Sequence, residues 1–311
     1  MSGDAVRFTA VDKRFGATAA LAGLSFDVAK GEMFGLIGPD GAGKTTAIRL
    51  LCGLLHPDAG SVRVLGADPA REHAVITQRV GYLSQRFTLY GDLTIDENIE
   101  FFAEIHGVAS FRPRREQLLE MTRLTPFRKR LAERLSGGMK QKLALACTLV
   151  HQPELVVLDE PTTGVDPVSR REFWKLLSEF LARGVTIVMS TPYLDEAERC
   201  TRVALMHEGQ VLAADQPGRL RALLPGGMVE VVASGAAAAL DAVRALPGVA
   251  DAQAFGDRLH VRLNAADAAT VDAFAGSLRS DLLPDARVRT VEASLEDVFI
   301  ATLEQKERAH A

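Results

Sequence analysis

The sequence predicts an α/β protein with a second, smaller α+β domain behind it. Three observations carry that expectation. Over residues 1 to 220 or so, short β-branched runs alternate with amphipathic stretches, the texture of strands interleaved with helices. A glycine-rich loop at 38–45 stands between an apolar run and a helical one. Near Leu223-Leu224-Pro225-Gly226-Gly227 the texture changes: alanine becomes frequent and the aromatics shrink to Phe255, Phe274 and Phe299.

In the first domain, expected over residues 1–222, the apolar runs 33–37, 155–158 and 186–190 read as strands. The last two are so nearly continuous in apolar residues that both faces of their sheet should be covered. Residues 46–52 follow the glycine-rich loop as a helix, and the runs 203–206 and 211–214 flank Glu208-Gly209 as a hairpin. The second domain, expected over 223–311, reads as strand 229–232, helix 236–246, strand 252–255, a Gly256-Asp257 turn, strand 259–263, helix 265–278 and strand 287–291. That β-α-β-β-α-β order is the one of a ferredoxin-like split unit. Ser294, with Asp297 three residues on, is placed to cap a final helix.

With 311 residues, 47% hydrophobic and 24% charged, the chain has ample sequence for a packed core, which excludes a disordered or fibrous protein. Its 36 basic and 40 acidic residues leave a formal net charge of −4, with no overall pull toward nucleic acid. No run reaches the roughly 18 to 20 apolar residues that cross a bilayer. The best stretch, 229–250, is broken by Glu230, Asp241 and Arg244. Met1-Ser2-Gly3-Asp4 lacks a basic segment followed by an apolar one, so the expected location is the cytosol. Cys52, Cys147 and Cys200 are far apart and show no metal-ligand spacing; they read as small core residues.

Gly38-Pro39-Asp40-Gly41-Ala42-Gly43-Lys44-Thr45 fits G-x-x-x-x-G-K-[ST], and a helix opens at Thr46 behind it. Glycines let the backbone curl so that several N–H groups converge on one phosphate, while the helix N-terminus adds partial positive charge. Lys44 is then placed to reach β- and γ-phosphates, and the Thr45 hydroxyl to ligate Mg2+. The strand 155–158 ends in Asp159-Glu160. Asp159 suits the water shell of Mg2+, and Glu160 the polarisation of the water that attacks the γ-phosphate. Between the two halves lies Leu135-Ser136-Gly137-Gly138-Met139-Lys140-Gln141. There Ser136 can cap a helix, and Gly137 and Gly138 can expose N–H groups at its positive end.

These residues resemble the ATP-binding-cassette (ABC) family over about residues 5–220. In order they are an aromatic residue at Phe15, the phosphate loop, Gln85, the signature at 135–141, the Asp159-Glu160 pair and Gly164-Val165-Asp166. The resemblance implies a P-loop NTPase fold: a mixed sheet with an antiparallel β subdomain and a helical signature subdomain. It also implies ATP and Mg2+ as ligands, and a head-to-tail dimer. In that dimer each ATP is sandwiched between the phosphate loop of one cassette and Ser136, Gly137 and Gly138 of the other. Phe15 would stack on adenine, although core packing suits it equally. Gln85 would touch the magnesium or the water, and Asp166 would communicate across the dimer.

The stretch 82–94 and the tail Ser294-Leu295-Glu296-Asp297-Val298-Phe299 resemble the subfamily that serves multidrug and polyketide-type export. There the residues after the glutamine form a groove for a short helix of the membrane subunit; Phe87, Leu89 and Tyr90 suit that groove or ordinary core.

Two positions depart from the family's pattern. Asp40 replaces a frequent Asn at a solvent-facing loop position. In Ser190-Thr191-Pro192-Tyr193-Leu194-Asp195-Glu196-Ala197-Glu198, Pro192 stands where the family usually has a histidine that contacts the γ-phosphate. Proline has no side-chain donor and no backbone N–H. Either Glu160 suffices in a homodimer, or this chain's site turns over slowly while its Ser136 and Gly137 complete a competent site in a different cassette.

The resemblance thus implies the ATP-hydrolysing subunit of an exporter of a drug-like or lipophilic substrate. It would sit peripherally on the cytoplasmic face of the membrane, with a separate permease and a second cassette as partners and no nucleic acid. The alternatives are a degenerate or regulatory cassette and a non-transport ABC ATPase. Against the last, DNA-maintenance ATPases separate these motifs by long coiled coils and translation-factor chains carry two cassettes, whereas no heptads lie between Lys44 and Ser136 and one phosphate loop is present.

Overall fold

The computed structural model describes residues 3–85, 89–265 and 267–310, with side chains as far as residue 306. Phe87 therefore lies outside the described residues. The chain divides into two compact units, Met1–Pro217 and Gly218–Ala311, and the texture break at 223–227 falls just inside the second.

The first unit runs β1 (Asp4–Phe15), β2 (Thr18–Ala29), β3 (Met33–Ile37), α1 (Lys44–Leu51), β4 (Ala59–Val64), α2 (His73–Arg79), β5 (Val80–Leu83) and α3 (Ile95–Ile105). It continues through α4 (Arg112–Thr122), α5 (Gly137–Leu149), β6 (Leu155–Asp159), α6 (Pro167–Ala182), β7 (Thr186–Thr191), α7 (Leu194–Ala197), β8 (Arg202–His207) and β9 (Gln210–Asp215). Strands β5-β6-β7-β3-β8-β9 form one sheet, parallel except for β9, which returns antiparallel beside β8 as the expected hairpin. Every residue of β3, β6 and β7 is buried, as the apolar runs require of parallel strands covered on both faces.

A separate antiparallel sheet, β2-β1-β4, packs its apolar face into the same core. Stacked rings join the two: Phe8 lies 4.5 Å from Phe26, and Phe26 lies 5.4 Å from Phe34 of β3. On the helical side, Thr94 and Glu97 form a reciprocal capping box that starts α3, and α5 packs against α3, α4 and α6. Parallel pairing brings the C-terminal ends of β3, β6 and β7 to one edge of the sheet, where α/β proteins bind ligands.

The three cysteines are buried and unbridged, and burial raises all three thiols, that of Cys200 to about 12. No helix among the described residues is long and apolar enough to cross a membrane.

The second unit takes in α8 (Pro217–Ala222), whose first residue is the last of the first unit, then β10 (Gly227–Val232), α9 (Leu240–Arg244), β11 (Val249–Phe255), β12 (Arg258–Leu263), α10 (Ala268–Asp281), β13 (Arg287–Val291) and α11 (Leu295–His310). Its sheet is antiparallel in the order β11-β12-β10-β13. Val229, Val231, Leu259, Val261 and Leu263 bury one face against Phe274 and Leu278 of α10. The single helix expected at 236–246 is shorter. A 3-10 turn at Ala236–Ala239 follows Gly235, which sits at φ 76°, and Pro247-Gly248 stops the chain from continuing helically. The final helix is capped as the sequence suggests: Ser294 N–H donates to Asp297 at 2.7 Å, and Asp297 N–H donates to Ser294 Oγ at 3.2 Å.

Candidate functional site

The loop after β3 needs glycine for two different reasons. A Cβ on Gly38 would lie 2.2 Å from the Met206 carbonyl oxygen of β8, and Gly43, at φ 97°, would place one 2.6 Å from Ala20 O. The chain can therefore turn sharply enough to start α1 at Lys44, whose first-turn N–H groups are the ones a helix leaves unbonded. Pro39, Asp40 and Gly41 are exposed on the loop's crest, Ala42 is buried, and Thr46 is half-buried in the first turn. Asp40 is thus solvent-facing, as expected.

Lys44 is only 4% exposed, and its ammonium donates to the carbonyls of Gly38 at 2.8 Å and Pro39 at 3.0 Å. The Glu160 carboxylate stands 3.5 Å from it. Gln85 Nε2 donates to the other Glu160 oxygen at 2.9 Å, so this carboxylate is held between a cation and an amide. Beside it, Thr45 Oγ1 donates to Asp159 Oδ1 at 3.2 Å. A hydroxyl and a carboxylate so close together are hard oxygen donors of the kind Mg2+ selects, and one or two such ligands match its preference for keeping water. Burial and the Asp159 charge push the Tyr82 phenol of β5 up to about 12, so it stays neutral beside the pair.

The signature is built at the start of α5. Ser136 Oγ accepts from Met139 N–H at 3.4 Å, and Gly137 is exposed with open space around it. Gly138 is buried in the same first turn, and a Cβ there would lie 2.1 Å from Ser169 Oγ of α6, a close approach that glycine permits. Asp166 accepts from Val168 and Ser169 N–H at 3.1 and 3.0 Å, which caps α6, and the Ser169 side chain first, then these N–H groups, hold its carboxyl below the ordinary value. Phe15, at the end of β1, is 49% exposed with Lys13 Nζ 5.7 Å from its ring centre, so core packing is not its role. Tyr90 is likewise 44% exposed and meets Phe101 edge-on at 4.4 Å, whereas Leu89 is half-buried.

Three further side chains join the site: Gln141, the last residue of the signature, to which the sequence assigned no contact of its own, and two that the sequence did not single out, Ser190 and Glu196. Gln141 donates to the Pro161 carbonyl, tying the signature helix to the residue after Glu160. Ser190 Oγ donates to Asp159 Oδ1 at 2.6 Å. Glu196, 1% exposed, accepts from Thr162 at 2.5 Å and Thr191 at 2.8 Å, with Trp174 Nε1 at 3.5 Å. A serine inside an apolar strand and a glutamate in a charged helical turn carry no local mark of these contacts.

The family model described as "ABC transporter" matches residues 21–163. The daunorubicin resistance ATP-binding protein DrrA2 of Streptomyces coeruleorubidus is 36% identical over 308 residues, covering 96% of this chain and 95% of that one. The chain belongs to the ATP-binding subunits of ABC transporters, a family of ATPases. This cassette protein is also 42% identical over 301 residues to the probable multidrug ABC transporter ATP-binding protein YbhF of Escherichia coli (strain K12). That match covers 96% of the cassette protein but 50% of YbhF, so the chain spans about half the length of that relative. Among solved structures it is similar to the dimeric ATP-binding cassette MJ0796 bound to ADP and Pi, with a TM-score of 0.61, 26% identity and coverage of 68% of this chain and 98% of that one.

Proposed function

We propose that this chain binds and hydrolyses ATP as the nucleotide-binding subunit of an exporter, peripheral on the cytoplasmic face of the membrane and working with a permease and a second cassette. The observation that carries the reading is the continuous set of contacts among Lys44, Thr45, Gln85, Asp159 and Glu160, which come from separate segments of the chain. ATP phosphates exchange with the loop carbonyls for the Lys44 ammonium, and the N–H groups from Gly38 to Thr46 close around them. Glu160 takes the proton of the attacking water, and Gln85 keeps its carboxylate turned toward that water. Thr45 and Asp159 would hold Mg2+, which neutralises phosphate charge when bound. Phe15 offers its exposed ring to adenine. Ser136 and Gly137 face the nucleotide of the partner cassette, with Gly138 supporting them from below.

The multidrug and daunorubicin-resistance names of the relatives support a drug-like or lipophilic cargo. We read the second unit as a ferredoxin-like module on its strand order. The test is Mg2+-dependent ATPase activity of the full chain, expected to vanish in Lys44→Ala; turnover unchanged by that substitution overturns the reading.

Pro192 favours a second reading, in which this site turns over slowly and the chain completes the site of a different, more active cassette. In the reconstituted assembly Glu160→Gln then leaves turnover at the partner's site, whereas complete loss of turnover rejects the asymmetric pair.

A further inference from the structure

Strand β7 lies between β3, which leads into the phosphate loop, and β6, which ends in Asp159. Its Ser190 pairs in register with Leu36 on one side and Asp159 on the other, and is fully buried. The hydroxyl is used twice. It donates to Asp159 Oδ1 at 2.6 Å and accepts from the Glu160 backbone N–H at 3.0 Å, an N–H that also points to the Ser190 carbonyl at 3.2 Å.

Glu160 sits at φ 49°, in the left-handed region that a non-glycine residue occupies only when its surroundings hold it there. That turn carries the carboxylate to Lys44 Nζ and Gln85 Nε2.

We infer that Ser190 is a positioning residue for the Asp159-Glu160 pair: its hydroxyl locks the left-handed turn that aims the Glu160 carboxylate. The inference rests on the ATPase reading above. The neighbouring side chains sharpen it, because Thr191 Oγ1 is committed to Glu196 and Pro192 has nothing to donate. Without the Ser190 hydroxyl, Asp159 loses a short donor and the Glu160 N–H keeps only its longer bond to the Ser190 carbonyl, so the left-handed turn is held less firmly and the carboxylate is aimed less well.

The test compares the full-length protein with Ser190→Ala, Ser190→Thr, Glu160→Gln and the double variant, measuring ATP turnover and the binding of a fluorescent trinitrophenyl ATP analogue. Ser190→Ala should lower kcat about 10- to 100-fold, the scale of a misplacement near 1 Å, with KM and analogue affinity within about threefold of wild type. Ser190→Thr, which keeps the hydroxyl, should recover most of kcat. In the Glu160→Gln background Ser190→Ala should cost nothing further, since the group it positions is gone. Wild-type kcat in Ser190→Ala, or a full additional loss on top of Glu160→Gln, overturns the positioning role. If Ser190→Ala fails to fold, Ser190→Gly likewise lacks the hydroxyl, and wild-type kcat there overturns the role equally. Turnover that survives Lys44→Ala is a different result: it removes the ATPase reading and the inference with it.

Discussion

The Lys44 ammonium stands 3.5 Å from the Glu160 carboxylate, and each is nearly withdrawn from water. The phosphate-binding cation and the candidate base thus face each other across the end of the sheet, each limiting where the other can move. Gln85 is the third partner, through its 2.9 Å hydrogen bond to Glu160. Gln85→Ala should therefore lower kcat by about tenfold, the scale of one hydrogen bond to a charged group, while ATP binding stays near wild type. Steady-state kinetics at saturating ATP with a parallel binding titration separates the two effects.

The two signature glycines should respond in opposite ways to the same substitution. Gly138→Ala forces a methyl against Ser169 and should destabilise the first unit by about 1–3 kcal/mol. Gly137→Ala meets open space and should leave stability within about 1 kcal/mol. Urea unfolding followed by the fluorescence of Trp174, the sole tryptophan, measures both. A folded Gly137→Ala protein with lowered turnover in the assembly would place that glycine's role at the partner's nucleotide.

Glu196 is a buried carboxylate whose hydrogen-bond donors come from three elements, the loop after Glu160, the end of β7 and α6. Arg170 Nε adds a cation at 3.6 Å. Glu196→Ala strands those donors and should cost about 3 kcal/mol or more, whereas Glu196→Gln, which keeps an acceptor, should cost less. The same Trp174 signal reports the loss directly, since its Nε1 is one of the donors.

The His106 and His151 rings stack at 3.8 Å with 7° between their planes. Burial first, and the neighbouring His106 second, hold the His151 imidazole at about 4, against its ordinary 6.5. The unfolded chain therefore binds the proton more readily between those values, and stability rises with pH across that window. The contribution is complete above about pH 6.5 and is lost as pH falls toward 4. His151→Phe should keep the stack and flatten the dependence, read as urea midpoints at pH 7.5 and pH 5. An unchanged slope would mean that other groups set the acid response.

The sequence by itself determined the chemistry that is written in contiguous residues. Glycines at Gly38 and Gly43, the lysine and threonine behind them, the Asp159-Glu160 strand end, and the Ser294–Asp297 cap are local patterns whose cause is local: a turn, a helix start, a satisfied N–H. The continuous apolar runs at β3, β6 and β7 likewise announced a buried parallel sheet. Only the tertiary structure decided which side chains from distant segments meet. Ser190 touches Asp159 and Glu160 because β7 is seated between β3 and β6, and strand order is a property of the whole sheet. Gly138 has no room for a side chain because Ser169 Oγ of α6 stands 2.1 Å from where its Cβ would be. Phe15, which the sequence left open between core and surface, lies exposed, and Glu196 is buried, because burial follows from how layers close over a residue; its type and its neighbours in sequence do not set it.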